Sequence, residues 1–484
     1  LNTIVVVSNP KRWPLKIPGA EIVAARDYLA DPKFGAAANL KVCNLCRSYG
    51  YQTAGYYVSL LAEARGHKPL PTVTTLRDLQ LAPIHRLAES SLDGLINKSL
   101  KGVKAADFEL WIYFGSSYYE KHRQLARALF NVFPAPLLRV TFVNESGWTI
   151  DSVRIVPAGE VPDNETAYVA EQAERYITRG VRTSKPKTPS RFDMAILHKP
   201  DDPMPCSDQK ALKKFIAAGE SMGIRAELIT KDDAGRVAEY DALFIRDTTA
   251  VDHYTYRMAR RAAAEGMVVI DDPVSIVRCT NKVYQAEMMI RHKIPTPKTV
   301  IFGEDTAGLV AERIGFPAVI KQPDSSFSAG VIKIDTEEEF YRRLDELLDT
   351  SELLIAQEFV PTEFDWRIGV LGGQPLYASK YFMARKHWQI VNRQGSRVSS
   401  GGFETVPVSQ VPAAVVKVGV RAAKQIGDGL YGVDIKVIDG KPRVIEINDN
   451  PNIDAGVEDR ILGDALYERI MAHFLVRLEQ RRRS

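Results

Sequence analysis

Gly432-Val433-Asp434-Ile435-Lys436, followed by Val444-Ile445-Glu446-Ile447-Asn448-Asp449-Asn450-Pro451, is the stretch that decides the fold. Apolar residues alternate with Asp434, Glu446 and Asn448, so the two runs read as β-strands. A period of two puts Asp434 and Lys436 on one face of the first strand, and Glu446 and Asn448 on one face of the second. The connecting Ile438-Asp439-Gly440-Lys441-Pro442 carries the Asp-Gly pair of a hairpin turn. A tight two-residue turn would pair Asp434 with Ile445. A loop one residue longer would set Asp434 opposite Glu446, and that is the register expected. Two carboxylates and an amide oxygen then converge on a hard cation. Magnesium takes few protein oxygens and completes its shell with water and phosphates. The hairpin therefore reads as the metal end of a nucleotide-phosphate site, with an acidic, solvated hairpin face as the plainer alternative.

The chain has 484 residues, length enough for about three domains. Apolar content of 45% and charged content of 26% are ordinary for a soluble globular protein. A net charge of +4 is too small to argue for nucleic acid, and the basic end from Arg477 to Ser484 reads as a solvated terminus. No run of about 18 apolar residues is present, so no transmembrane helix is expected. No secretory signal is visible either, although the chain opens on Leu1 rather than Met. Four cysteines do not form a disulfide framework, and a reducing cytoplasm is the expected location. Cys43 and Cys46 form a C-x-x-C that could signal redox or zinc chemistry. Cys206 and Cys279 are isolated, however, and Asn39 to Ser48 reads as the start of a helix running toward Leu60. Structural cysteines at i,i+3 on one helix face are expected.

Three regions follow from the pattern. Residues 1–185 open on the strand-like Thr3 to Ser8, then a helix-like stretch from Val42 to Ala64, then strands at Leu110 to Phe114 and Leu138 to Val143, which suggests an accessory α/β domain. A linker rich in Pro, Lys and Ser spans Arg182 to Ser190. Residues 191–275 read as a βαββαβ unit: strands at Phe192 to His198, Ala226 to Thr230, Ala242 to Ile245 and Met267 to Ile270, with helices at Gln209 to Met222 and Tyr254 to Ala264. Such alternation implies a mainly parallel sheet with a ligand edge at its strand C-termini. Arg246, Asp247 and Thr248 fall at that edge, placed for substrate or phosphate, or for capping the next helix. Residues 276–477 are the catalytic candidate.

In that last region Val319-Ile320-Lys321 closes a strand, Gln322 to Gly330 forms a loop of small residues, and Val331 to Ile334 begins the next strand. Small residues let backbone N–H groups approach phosphate oxygens, and Ser325, Ser326 and Ser328 add hydroxyls. No Walker loop is present. A plain hairpin loop would look the same. Lys282 opens a helix and is suited to phosphate oxygens, as well as to plain solvent exposure. Leu353 to Val360 is an apolar strand whose main chain could serve an adenine ring, with Glu363 and Asp365 within reach of a ribose. Ser379 to Trp388 clusters Lys380, Arg385, Lys386 and His387 with aromatics. A reaction that builds charge on a transferring phosphoryl group needs such cations, and a solvated basic strand is the alternative.

Taken in order, these segments resemble the ATP-grasp superfamily, most closely RimK-like carboxylate–amine ligases. The resemblance covers about residues 191–477 and is carried by Gly432 to Ile435 with Val444 to Asn448, by Pro317 to Lys321 with its Ser-rich loop, and by Gln357-Glu358-Phe359. Residues 1–185 resemble the N-terminal domain that accompanies some RimK-like ligases. The resemblance implies an ATP-grasp fold (α/β, with α+β character in the catalytic part) preceded by a small parallel-sheet pre-ATP-grasp domain and an extra N-terminal α/β domain. It implies ATP and magnesium, expected as two ions with manganese as a substitute. Lys282 and Lys321 would contact phosphates, with Ser326, Ser328 and Gly330 in the loop beside them. Gln357, Glu358 and Val360 would hold the adenine, and Asp365 would lie near the ribose. Asp434, Glu446 and Asn448 would bind metal. Arg367, Lys380 and Arg385 would face the acyl-phosphate side. Relatives carry an Arg-rich stretch before the position of Asn392, whereas this chain has Arg385-Lys-His-Trp-Gln-Ile-Val-Asn392, a departure that bears on the acceptor.

The implied chemistry is amide formation through an acyl phosphate, on amino acids or peptides, with a protein acceptor as the alternative. No nucleic acid or membrane partner is expected, and a homo-oligomer is. No Ser- or Cys-based triad is evident. His387 could take the amine proton or simply pack beside Trp388. Two rivals are an ATP-grasp phosphotransferase, whose nucleotide site would look identical, and a non-catalytic nucleotide-binding module, which the full set of Asp434, Glu446, Asn448, Lys282 and Lys321 disfavours.

Overall fold

The computed structural model describes residues 3–18, 20–37, 40–145, 147–178, 190–324, 330–349, 351–384, 391–394 and 397–483. Contacts divide the chain into two compact units, Leu1–Ala195 with Ile229–Asp241, and Ile196–Leu228 with Ala242–Ser484.

In the first unit, strands β1 (Thr3–Val7), β2 (Glu21–Ala24), β3 (Lys41–Leu45) and β4 (Lys68–Leu70) form a parallel sheet in the order β2-β1-β3-β4. The inner strands β1 and β3 are buried on both faces, which is why neither alternates between apolar and polar residues. This corrects the helix expected from Val42. Val42 to Leu45 is strand, and the helix starts only at Ala54. Cys43 and Cys46 therefore do not share a helix face. They pack into separate core clusters as buried free thiols. Strands β5 (Asp107–Tyr113), β6 (Leu137–Asn144) and β7 (Trp148–Ile155) make an antiparallel sheet in that order. Leu125, Leu129 and Phe130 of the helix Arg123–Val132 pack on Leu138, Val140 and Phe142. Segment 229–241 is anchored by Glu239, which pairs with Lys41 and Arg236. Burial pushes the Glu239 carboxyl up, but Lys41 and Arg236 outweigh burial and bring it down to about 2.

Strands β8 (Phe192–His198), β9 (Ile224–Ile229), β10 (Ala242–Arg246) and β11 (Val268–Ile270) form a sheet in the order β11-β10-β8-β9, with helices Gln209–Ser221 and Tyr254–Ala264 between them. A second sheet is antiparallel, β12-β15-β13-β14, from β12 (Thr299–Phe302), β13 (Ala318–Lys321), β14 (Val331–Ile334) and β15 (Leu354–Glu358). A third runs β20-β17-β16-β21-β22. Its strands are β16 (Phe364–Leu371), β17 (Gln374–Phe382), β20 (Phe403–Val406), β21 (Leu430–Ile438) and β22 (Lys441–Asn448); β18 (Val391–Gln394) and β19 (Arg397–Ser400) form a separate two-stranded ribbon. Trp366, Ile368, Val433, Ile435, Val444 and Ile447 line one face of the third sheet and pack with Val415, Ala422 and Ile426 of the helix Ala413–Ile426. Each large apolar side chain so buried contributes about 1.5–3 kcal/mol.

The β21–β22 hairpin pairs Asp434 with Glu446, the register expected, but by a different route. The turn is the tight two-residue one: Ile438 pairs with Lys441 across Asp439 and Gly440, whose φ of 48° and 75° fit a type I′ turn. Ile435 then pairs with Val444, and Ile445 is an extra residue, a β-bulge, so the next pair is Asp434 with Glu446. The additional residue sits in the strand rather than in the turn.

Nothing lies within 4 Å of a Cβ added at Gly440, so Gly440→Ala tests backbone strain alone. It should cost about 1–2 kcal/mol in denaturant unfolding, and an unchanged midpoint would refute the turn assignment.

Candidate functional site

Lys321 ends β13 and Lys282 begins the helix Lys282–Arg291. The chain beyond β13 clips onto that helix start and so brings the two lysines near each other. Asn281 caps the helix by accepting from the Tyr284 N–H at 3.0 Å and donates its amide to Asp324 Oδ1 at 3.0 Å, while the Lys282 N–H donates to Pro323 O at 3.0 Å. The Lys321 ammonium donates to Gln357 Oε1 at 2.9 Å, and the Gln357 amide donates to Thr299 Oγ1 at 3.1 Å. A cleft opens between these groups, lined by Lys282, Met289, Thr299, Lys321, Gln357 and the bulge residue Ile445 among others.

Gln285, one turn along the same helix, holds the hairpin to it. Its side-chain oxygen accepts from the Ile447 N–H at 2.8 Å and its amide donates to Ile447 O at 2.9 Å. The metal-end candidates follow on either side of Ile447. Asp434 accepts two hydrogen bonds from Arg367, Nε to Oδ1 and Nη2 to Oδ2, both 2.7 Å. This is the bidentate fork that favours arginine over lysine. The Asn448 amide donates to Asp434 Oδ2 at 3.3 Å and to Gly432 O at 3.4 Å.

Burial raises the Asp434 carboxyl, and the Arg367 charge and fork oppose that rise. Burial alone would raise Glu446 too, but Lys282, Lys321 and Arg367 outweigh it and hold its carboxyl below the ordinary range. Lys321 is only 7% exposed. Burial lowers its ammonium to about 8, with Glu446 opposing and Lys282 adding to the fall. The site is thus a buried pocket of opposed charges. Its donor set fits a hard cation: two carboxylates and an amide at one end, with cations aimed at the space beside them. Among the described residues no three His, Cys, Asp or Glu side chains are arranged to hold a metal by themselves. Magnesium bound through one or two carboxylates, with phosphate oxygens filling its shell, does not require three.

Other expected residues stand as follows. Asp365 accepts from the Lys436 ammonium at 2.7 Å and from Thr362 Oγ1 at 3.0 Å. Glu358 is tied to Lys298, its N–H donating to Lys298 O and its carboxylate accepting the Lys298 N–H, both at 2.9 Å. Val360 follows the end of β15. Gly330 closes its loop at φ 67°, where a Cβ would stand 2.6 Å from Gln322 Oε1. Arg385, Ser326, Ser328, His387 and Trp388 lie outside the described residues.

Arg367 and Lys380 were expected on one side, and β-alternation separates them. Lys380 pairs with Trp366, Arg367 pairs with Ser379, and so the two side chains leave opposite faces of the sheet. Lys380 donates to Glu404 Oε2 at 2.8 Å and lies 5.4 and 5.5 Å from the Phe364 and Trp366 ring centroids. Arg246, at the end of β10, is 2% exposed and is engaged by the chain itself: it donates to Ser207 Oγ at 3.0 Å, to Pro451 O at 2.7 Å, and to Asn450 and the Cys206 carbonyl. It clasps the segment that leaves β22.

Residues 279–470 match the model of the RimK-like ATP-grasp domain, and residues 25–172 match that of the RimK-like ATPgrasp N-terminal domain. The chain thus carries a RimK-like ATP-grasp domain and a RimK-like ATPgrasp N-terminal domain. It is 33% identical over 135 residues to the alpha-aminoadipate–LysW ligase LysX of Sulfolobus acidocaldarius, covering 27% of this chain and 49% of that protein. It is 23% identical over 265 residues to a probable alpha-L-glutamate ligase of Marinomonas sp., covering 51% of this chain and 85% of that protein. The match thus spans about half the length of the LysX relative. A solved RimK domain ATP-grasp protein from Sphaerobacter thermophilus aligns over 58% of this chain and 98% of its own, with a TM-score of 0.44 and 17% identity. No described helix is long and apolar enough to cross a membrane.

The lowered Lys321 sets two opposite pH trends. Phosphate binding needs the ammonium charged, so ATP affinity should fall as pH rises through about 8, by up to about tenfold per unit. Lys321→Met should flatten that profile. Stability should instead rise between about 8 and about 10.4, because the unfolded chain there binds the proton that the folded chain has lost. Titration calorimetry of ATP binding and denaturant melts across this range check both.

Proposed function

We propose that the chain is an ADP-forming carboxylate–amine ligase that makes an amide bond through an acyl phosphate. The observation carrying this is the Asp434–Glu446 pair set against Lys282 and Lys321, within residues that match a RimK-like ATP-grasp domain. Lys282 and Lys321 bind phosphate oxygens, and Ser326 and Ser328 would add hydroxyl donors to them. Gln357 orients Lys321, while the Glu358 carbonyl and the Val360 N–H face the base edge, since the Glu358 N–H is already taken by Lys298. Thr362 and Lys436 fix Asp365 for a ribose hydroxyl.

Asp434, Glu446 and Asn448 would hold magnesium, expected as two ions, which would neutralise charge on the phosphate oxygens. Arg367 fixes the Asp434 carboxylate in place, so that little reorganisation is left for the reacting state. In the first step a substrate carboxylate oxygen attacks the γ-phosphorus, the bond to ADP breaks, and an acyl phosphate forms. In the second, an amine attacks the acyl carbon, inorganic phosphate leaves, and the amine gives up a proton. The residues of this chain contribute positioning and electrostatics rather than a covalent nucleophile.

The relatives named for aminoadipate, LysW and glutamate support an amino acid as one substrate and a peptide or protein as the other. Four unpaired cysteines support a reducing cytoplasm.

Phosphate release from ATP and magnesium, screened over amino acids and peptides with mass spectrometry of the products, tests the proposal. A new mass equal to carboxylate plus amine minus water is expected. A product heavier by a phosphoryl group and stable without amine would make the chain a phosphotransferase instead. Asp434→Asn should lower turnover by about 100-fold or more, and undiminished turnover would remove the metal assignment.

A further inference from the structure

The first unit has an open sheet edge bordered by a cleft. β5 is the outer strand of β5-β6-β7. The Asn144 N–H donates to Ala106 O and the Phe114 N–H to Pro136 O, both at 2.8 Å, and these bonds fix the phase of the ladder. In an antiparallel pair the bonded positions alternate, so Phe108, Leu110 and Ile112 bond to β6. The main-chain groups of Asp107, Glu109, Trp111 and Tyr113 then point away from the sheet. Tyr113 is closed off by Ser116, which exchanges two bonds with it at 2.7 and 2.9 Å. Among the described residues, nothing pairs with the outward groups of Glu109 and Trp111.

Phe108 through Trp111 line one wall of the cleft along this edge, and Tyr118, Tyr119 and Glu165 stand among the residues opposite. Tyr118 is 39% and Tyr119 60% exposed, large aromatic surfaces left open beside unpaired main chain. The charged side chains lining the cleft are two carboxylates, with no Lys or Arg among them. Arg139 from β6 partly offsets Glu109 at 3.6 Å. Glu165 accepts from the Tyr113 hydroxyl at 2.6 Å and meets no cation among the described residues.

We propose that this edge binds an extended peptide of another protein by strand addition, with a Lys or Arg side chain of that peptide entering the cleft toward Glu165 between the tyrosines. The usable edge, Asp107 to Trp111, matches a partner strand of about five residues, or about 17 Å. The main chain supplies register and the carboxylate supplies selectivity. The proposal stands apart from the ligase assignment, because no residue of 279–470 takes part in it.

The test uses the full chain and a fluorescein-labelled heptapeptide of alternating Thr and Val with a central Lys, beside a twin with a central Glu. Fluorescence anisotropy should show the Lys peptide binding at least tenfold more tightly than the Glu peptide. Glu165→Gln keeps the bond to Tyr113 and should erase that preference. Glu109→Pro removes one outward N–H without touching the ladder, where an edge strand tolerates proline, and should abolish binding of the Lys peptide. Equal binding of the two peptides by the unaltered chain would overturn the proposal, as would no binding of either at millimolar concentration. So would sedimentation showing a dimer that Glu109→Pro dissociates, since a second copy would then occupy the edge.

Discussion

Two carboxylates, the buried Asp434 and the half-buried Glu446, sit side by side. Like charges so placed repel, and burial removes the solvent that would screen them. The pair is tolerable only because cations arrive from separate elements: Arg367 from the neighbouring strand, Lys321 from the end of another sheet, and Lys282 from a helix start. Much of the second unit's irregular structure delivers these charges. The Asn281–Asp324 clip, the Gln357 bridge and the Gln285 bonds to Ile447 each fix one cation, or fix the strand it must face. Burial weakens the hold of Lys321 on its own proton, and Lys282 adds to that loss while Glu446 opposes it, leaving a positively biased pocket beside a negative one. A polyphosphate with a divalent ion is the sort of guest that completes both halves.

Much of this was legible in the sequence where a local rule governs it. Strand alternation placed Asp434, Glu446 and Asn448, the Asp-Gly pair marked the turn, and Lys282 was read as opening a helix. The βαβ pattern from Phe192 to Ile270 matched its elements to within two residues, because parallel strands and amphipathic helices carry different periods.

What escaped the sequence depends on distant partners. Val42 to Leu45 is buried on both sides because it is an inner strand of a parallel sheet, and a short run of that kind has no period to tell strand from helix. The bulge at Ile445 leaves no composition signal, so the correct register was reached through the wrong loop length. Lys380 sat in a cationic run, yet which face a residue takes depends on its cross-strand partner, here Trp366. Gln285 looks like a surface residue in one dimension, and only the fold shows it bonded to Ile447, while Arg246, expected at a ligand edge, instead clasps Pro451.

The bulge has one more consequence. It lies between the carboxylates and the turn, so everything past the Ile438–Lys441 pair is outside the frame that sets the site. The hairpin tip is therefore a tolerant position, where a longer loop, a graft or a label can be accepted while the carboxylates keep their places. A single residue added or lost between that pair and Asp434 or Glu446 has no such freedom, because it changes the parity of the strand and turns a ligand to the wrong face. Natural variation in this hairpin should accordingly gather at its tip and leave the count of residues below it unchanged.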